Sequence, residues 1–251
     1  MEWYGNPRHG VSMAAVATVG TQLALPVLLP DDALFKTFES GPNQELLSAL
    51  TALTGESVAQ TSVYFWGGRG RGKTHLLHAV CAAAGHTHLQ VMYIPLADFS
   101  DPMHISLLQG LDEYDLICLD DIDAVTQSRE WCVALFELYN RVSDSGKGRL
   151  VISASVSPLA LPCALPDLRS RLQATTSFQL HKLDDEGRMR ALQTHAAQRG
   201  LQLEPEVAQF IVQRVSRDMH QLMAILNQLD KASMAQQRRL TVPFAKQTLS
   251  I

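Results

Sequence analysis

The chain has 251 residues, which suits one large domain with a small appendage better than two full-sized domains. Apolar side chains make up 46% of it, enough to exclude global disorder. Its net charge of −4, from 21 basic and 25 acidic residues, argues against a protein whose main task is to coat nucleic acid, while leaving room for a local basic patch.

In chain order, the run MAAVATVG from Met13 is mildly apolar but has no basic flank and no long apolar core. It is too weak for a signal peptide or a membrane span, so a cytoplasmic protein with no membrane partner is expected. TQLALPV, Thr21 to Val27, sets two leucines and a proline where the sequence offers no core for them to join. It reads either as an arm or edge strand packed on its own domain, or as side chains for a partner's groove. NQELLSALTAL, Asn43 to Leu53, predicts a helix opened by an asparagine cap. SVYFWGG predicts a buried strand ended by glycines, and THLLHAVCAAAG a helix stopped at Gly85. The alternation continues with a strand at VMYIPL, a helix near His104 to Leu111, and a strand at DLICLDDI. A helix at REWCVALFELYNRV and a strand at RLVISASV follow. ALPDLRSRLQA reads as a turn-rich connection, and TSFQLHKL as a last strand.

Strands that alternate with helices imply a parallel sheet covered on both faces. From about Asp184 the strand signals stop. DDEGRMRALQTHAAQRG, EPEVAQFIVQRV and SRDMHQLMAILNQLDKASMAQ show apolar positions at helical spacing, and TVPFAKQTL closes as a short helix. The expected plan is an N-terminal arm over 1–30, an α/β nucleotide-binding domain over 31–182 and an all-α domain over 183–251.

Cys81, Cys118, Cys132 and Cys163 are widely spaced with no CxxC pair, which predicts buried free thiols. His86 and His88 in GHTHLQ read as a polar loop. The sharpest chemical signal is GGRGRGKT, which fits GxxxxGK[ST] through Gly67, Gly72, Lys73 and Thr74. Phosphates need closely approaching backbone N–H donors, which glycine permits. Lys73 would neutralise phosphate charge and the following helix would turn its positive end to the same anion. Gly70 within the loop and His75 after it join the candidate cofactor-binding set. In LICLDDID, Asp120 would hold Mg²⁺ together with Thr74, and Asp121 would orient an attacking water. Ser153 and Ser155 end the following strand, either as turn formers or as polar groups that could sense the γ-phosphate. Arg169 and Arg171 in LPDLRSRL are either solvated or able to reach a neighbouring molecule. Arg217 opens a helix of the small domain, against the macrodipole, which invites a role such as contact with bound nucleotide.

Together GGRGRGKT, LICLDDID, the strand-end serines, LPDLRSRL and VSRDMHQL resemble the AAA+ ATPases. They are most similar to the DnaA/Hda branch, that of the bacterial replication initiator and its truncated relatives. FKTFESGPNQELLSAL and LFELYNRVSDSGKGRLVISASVSP extend the likeness over roughly Ala33 to Leu249. The resemblance implies an AAA+ P-loop fold with an all-α lid, holding ADP or ATP with Mg²⁺. It matches Arg171 to an arginine finger that reaches into the ATP site of DnaA, which would make Arg171 catalytic in trans and self-association an expectation. Gln22, Leu23, Leu25 and Pro26 then look like a peptide that docks on the β sliding clamp. The sequence ends at Ile251 after the lid, so no base-reading domain is expected and DNA would be met through the clamp. The implied function is negative regulation of replication initiation, by stimulating ATP hydrolysis in DnaA. Alternatives are a helicase-loader-type ATPase, a non-enzymatic adaptor and a small-molecule kinase. Asp121 is a methylene shorter than the glutamate of the wider class, so weak turnover in the chain's own site and a resident ADP are expected. Ser155 carries no charge, which weakens a γ-phosphate-sensing role.

Overall fold

Short apolar runs that can hide both faces form the centre of the molecule. In the computed structural model, which describes residues 33–55 and 61–251, the strands are β1 (Ser62–Trp66), β2 (Val91–Pro95), β3 (Leu116–Asp120), β4 (Arg149–Ala154) and β5 (Thr176–Gln179). They pair in parallel in the order β2-β3-β4-β1-β5. All residues of β3 and β4 are buried, as central strands covered on both faces must be. The expected partner peptide, Gln22, Leu23, Leu25 and Pro26, lies outside the described residues.

Strand periodicity divides the core into two layers. On one face Tyr64, Ile117, Leu119, Leu150 and Ile152 pack with α3 (Arg129–Ser145) and α4 (Pro166–Ala174), through Trp131, Leu135, Leu138, Leu168 and Leu172. On the other, Val63, Phe65, Leu116, Cys118 and Val151 meet α1 (Gln44–Ala52) and α2 (Lys73–Gly85), through Leu46, Leu50, Leu76, Leu77 and Val80. A third cluster joins α5 (Asp185–Gln198), α6 (Pro205–Arg214), α7 (Met219–Gln236) and α8 (Val242–Leu249) around Leu192, Ile211, Leu222, Leu226 and Phe244. This is the helical lid.

Three local readings change. The helix expected near His104 to Leu111 is instead 3₁₀ structure over Pro102–Leu108 and Leu111–Glu113. Pro102 and the left-handed Gly110 (φ 71°) leave too few residues between them to repay α-helix nucleation. The turn-rich LPDLRSRL is a helix, α4, with Pro166 in its first turn, Asp167 beside it, and Leu168 and Leu172 one turn apart on the buried side. Asn43 stands at the cap position of α1 but makes no cap. Its Nδ2 donates to His181 O at 3.2 Å and its Oδ1 accepts from His181 N at 2.7 Å, which ties α1 to the end of β5.

All four cysteines are free, Cys163 being half-buried and the others buried. The Cys132 and Cys163 thiols lie 3.7 Å apart, and burial pushes Cys132 up to about 11. Among the described residues no helix is long and apolar enough to cross a membrane.

Candidate functional site

At the carboxyl end of β1 the backbone turns through Gly67 to Gly72 and enters α2 at Lys73. Gly70 and Gly72 sit at φ 74° and 96°, a region that side chains rarely adopt. Space is short there as well. A Cβ on Gly70 would lie 2.6 Å from Asp218 Oδ2, and one on Gly72 would lie 2.9 Å from the Phe38 ring. No side chain caps α2. Its leading N–H groups and positive end are therefore left for an anion.

The acidic strand end is two strands away, and β4 bridges the gap. Asp120 is 3% exposed and accepts three hydroxyls: Thr74 Oγ1 at 2.7 Å, Tyr93 OH at 2.9 Å, and Ser153 Oγ. Ser153 pairs with Phe65 of β1 in the sheet, and its Oγ also accepts Asp121 N at 2.9 Å. Burial, then the charge and hydrogen bond of Asp120, push the Tyr93 hydroxyl well up, so it remains a proton donor to that carboxylate. Tyr93 gave no signal of its own in the sequence, since one more aromatic in an apolar strand is unremarked.

Lys73 Nζ lies 3.2 Å from Asp121 Oδ1 and 3.3 Å from Gly67 O. Asp121 holds a left-handed backbone, φ 53°. Burial first and Asp120 second push its carboxyl above the usual range, against an opposing pull from Lys73. Ionisation of Asp121 thus costs the folded state. That cost is complete above the raised value and vanishes as pH falls below the unfolded carboxylate value of about 3.9. Asparagine tolerates left-handed backbone. Asp121→Asn is therefore expected to raise the melting temperature at about pH 7, with the gain fading toward about pH 4, as thermal scans of the unliganded protein at both would read.

A cleft of about 880 Å³ runs from this loop to the lid, with Thr37, Phe38, His75, His195, Arg217 and Met219 among its lining residues. His75 Nε2 is 3.2 Å from both Thr37 Oγ1 and Leu34 O, and its ring contacts Phe38 at 5.6 Å and His195 of the lid at 5.7 Å. On the lid side Asp218 caps α7 by accepting Gln221 N. Arg217 precedes that helix rather than opening it, and donates to Asp185 Oδ2 at 2.9 Å. The unfavourable charge at a helix start is thus offset by the two neighbouring acids.

The structure separates the other candidates. Ser155 is exposed, is not on the cleft wall, and gives its hydroxyl to Asp123, whose Oδ1 also accepts Ser155 N at 2.9 Å. Ser153 is the serine that touches the acidic site. Arg169 donates to Cys163 O at 2.9 Å. Arg171 lies exposed in the last turn of α4 and is not among the residues that line the cleft, and its side chain has no hydrogen bond or ion pair among the described residues.

Among the described residues no cluster of three or more His, Cys, Asp or Glu could hold a metal alone. The Thr74–Asp120 pair beside the phosphate-type loop nevertheless suits Mg²⁺, which takes few protein ligands and completes its shell with phosphate and water oxygens. Loop, uncapped helix, lysine and oxygen pair together fit a nucleoside polyphosphate.

Comparison with known proteins settles the kinship. The bacterial DnaA ATPase domain family matches residues 29–179. The chain belongs to the DnaA ATPase family. Beyond that match, the family described as the Hda lid domain covers residues 185–249. This DnaA-type chain is 42% identical over 230 residues to an uncharacterised Haemophilus influenzae protein, across 92% of the chain and 99% of the relative. Its structure is similar to domain III of Thermotoga maritima DnaA, with a TM-score of 0.76 at 25% identity, over 88% of this chain and 97% of that one. AMPPCP-bound DnaA from Aquifex aeolicus shares the fold, with a TM-score of 0.70 at 20% identity, over 82% of this chain and 67% of that one.

Proposed function

We propose that this DnaA-type chain is a regulator of replication initiation that binds an adenine nucleotide, ADP at rest, and stimulates ATP hydrolysis by the initiator DnaA. The observation that carries the reading is a DnaA ATPase domain and an Hda-type lid in one chain, with Arg171 unengaged on α4. Arg171 acts as the finger in a DnaA nucleotide site, where its charge offsets that of the transferring phosphoryl group. In the chain's own site Lys73 and the α2 N-terminus hold phosphates, Arg217 lines the cleft from the lid as a further nucleotide contact, Gly67, Gly70 and Gly72 let the backbone close on the phosphates, and His75 lines the cleft beside them. Thr74 and Asp120 hold Mg²⁺, which when bound withdraws charge from phosphate oxygens. Asp121, tied to Lys73 in this structure, is poorly disposed to activate water, which supports weak turnover here. Ser155 is left out of the phosphate set because its hydroxyl is committed to Asp123.

Gln22, Leu23, Leu25 and Pro26 dock on the β sliding clamp, the leucines and proline filling an apolar groove while the Gln22 amide fixes register. DNA is then met indirectly, in the cytoplasm, and the trans finger admits self-association. The test is initiator ATP hydrolysis measured with and without clamp-loaded DNA, for wild type and a Gln22→Ala, Leu25→Ala variant. Loss of two interface anchors of about 1–2 kcal/mol each should weaken clamp binding at least tenfold and remove the clamp-dependent part of the stimulation. Equal stimulation by both proteins would refute the tether.

A further inference from the structure

Asp185, the first residue of α5, holds two cleft arginines at once. Its Oδ1 accepts from Arg188 Nη1 at 2.7 Å and its Oδ2 accepts from Arg217 Nη2 at 2.9 Å. Asp185 is not itself among the residues that line the cleft. A second acid stands next to Arg217 in the chain. Asp218 brings Oδ2 to 2.6 Å from where a Cβ on Gly70 would lie, so a lid carboxylate presses on the phosphate-type loop. Arg217 therefore lines the cleft with one acid bound to it, while the acid next to it in the chain sits against the loop.

A phosphate placed against Arg217 must displace or share the Asp185 bond. Phosphates held by the loop amides and the α2 N-terminus leave that bond in place. Lys73 serves both kinds of ligand and does not discriminate between them. We propose that Asp185 is a specificity-determining residue that makes the cleft favour a nucleoside diphosphate over the triphosphate, by engaging Arg217 in competition with the third phosphate. This rests on the reading of the cleft as a nucleotide site.

The pair is partly exposed, with side-chain exposures of 68% for Arg217 and 37% for Asp185, so solvent screens it and the effect is modest. The experiment is titration calorimetry with MgADP and MgATP on the full chain, for wild type, Asp185→Asn, Arg217→Ala and the double variant. Wild type is expected to bind MgADP more tightly. Asp185→Asn should tighten MgATP about fivefold, the upper end for an exposed pair, and leave MgADP unchanged. In the Arg217→Ala background the same change should do nothing. Asparagine and serine both suit a helix start, so Asp185→Ser repeats the measurement should the asparagine variant not fold. Equal shifts for both nucleotides, a gain that persists without Arg217, or a wild type that prefers MgATP each overturns the proposal while sparing the nucleotide site. A folded wild type that binds neither ligand overturns the site reading as well.

Discussion

Arg171→Ala is expected to cost about 10³–10⁵-fold in the stimulated rate of initiator ATP hydrolysis, the range spanned by fingers supplied in trans. The size follows from where charge develops. A guanidinium that arrives only in the assembled complex meets the transition state without having been neutralised beforehand. Arg171 suits this because α4 anchors it through Leu168 and Leu172 while its own side chain is exposed and free of partners among the described residues. The same geometry predicts what stays constant. Removing an exposed, unpaired side chain near a helix end should leave stability within about 0.5 kcal/mol. Binding of nucleotide to this chain should also be unchanged, since Arg171 does not line its cleft. Multiple-turnover hydrolysis by the initiator, with thermal unfolding and nucleotide titration as controls, reads all three. Full stimulation by Arg171→Ala would demote the chain to an adaptor that works without a finger.

The sheet was readable from sequence because its inner strands β1, β3 and β4 are short, largely apolar runs, as in LICLD before its acidic pair. The phosphate loop was readable because only glycine relieves the backbone at Gly70 and Gly72. What escaped depends on contacts between distant segments. Asn43 looks like a cap, yet its amide is matched on both sides by His181, 138 residues away, and a two-bond pairing outweighs a local one. Ser153 and Ser155 are indistinguishable in SAS, but β4 ends at Ala154, so the strand holds Ser153 against Asp120 while Ser155, beyond its end, bonds Asp123. LPDLRSRL contains a helix-starting proline and two leucines one turn apart, a signal present but masked by the prolines upstream. Arg217 drew attention through its charge. Nothing local revealed Asp185 as its partner, because Asp185 opens α5 while Arg217 lies in the connection between α6 and α7.

Lys73→Ala is the complementary variant and is expected to weaken nucleotide binding about 10–150-fold, from the loss of charged hydrogen bonds worth about 1.5–3 kcal/mol. Lys73 has the position for it. It is the first residue of α2, with Nζ drawn between Gly67 O and Asp121, inside the cleft where the helix end awaits an anion. Thermal unfolding converts the change into a second observable. Ligand at about 100 times the wild-type Kd stabilises by about 2.7 kcal/mol, whereas the same concentration against a Kd raised 100-fold gives only about 0.4 kcal/mol. For a chain of this size the difference corresponds to a melting shift of about 5–9 °C that the variant should fail to show. Without Lys73 the Asp121 carboxyl loses the charge that pulled its pKa down, so it moves further up and the unliganded variant gains a little stability as pH falls. Undiminished protection of Lys73→Ala by nucleotide would remove the phosphate-binding role from the loop. Paired with Arg171→Ala, the variant separates the two arms of the mechanism: one should lose its own ligand, the other only its effect on a partner's.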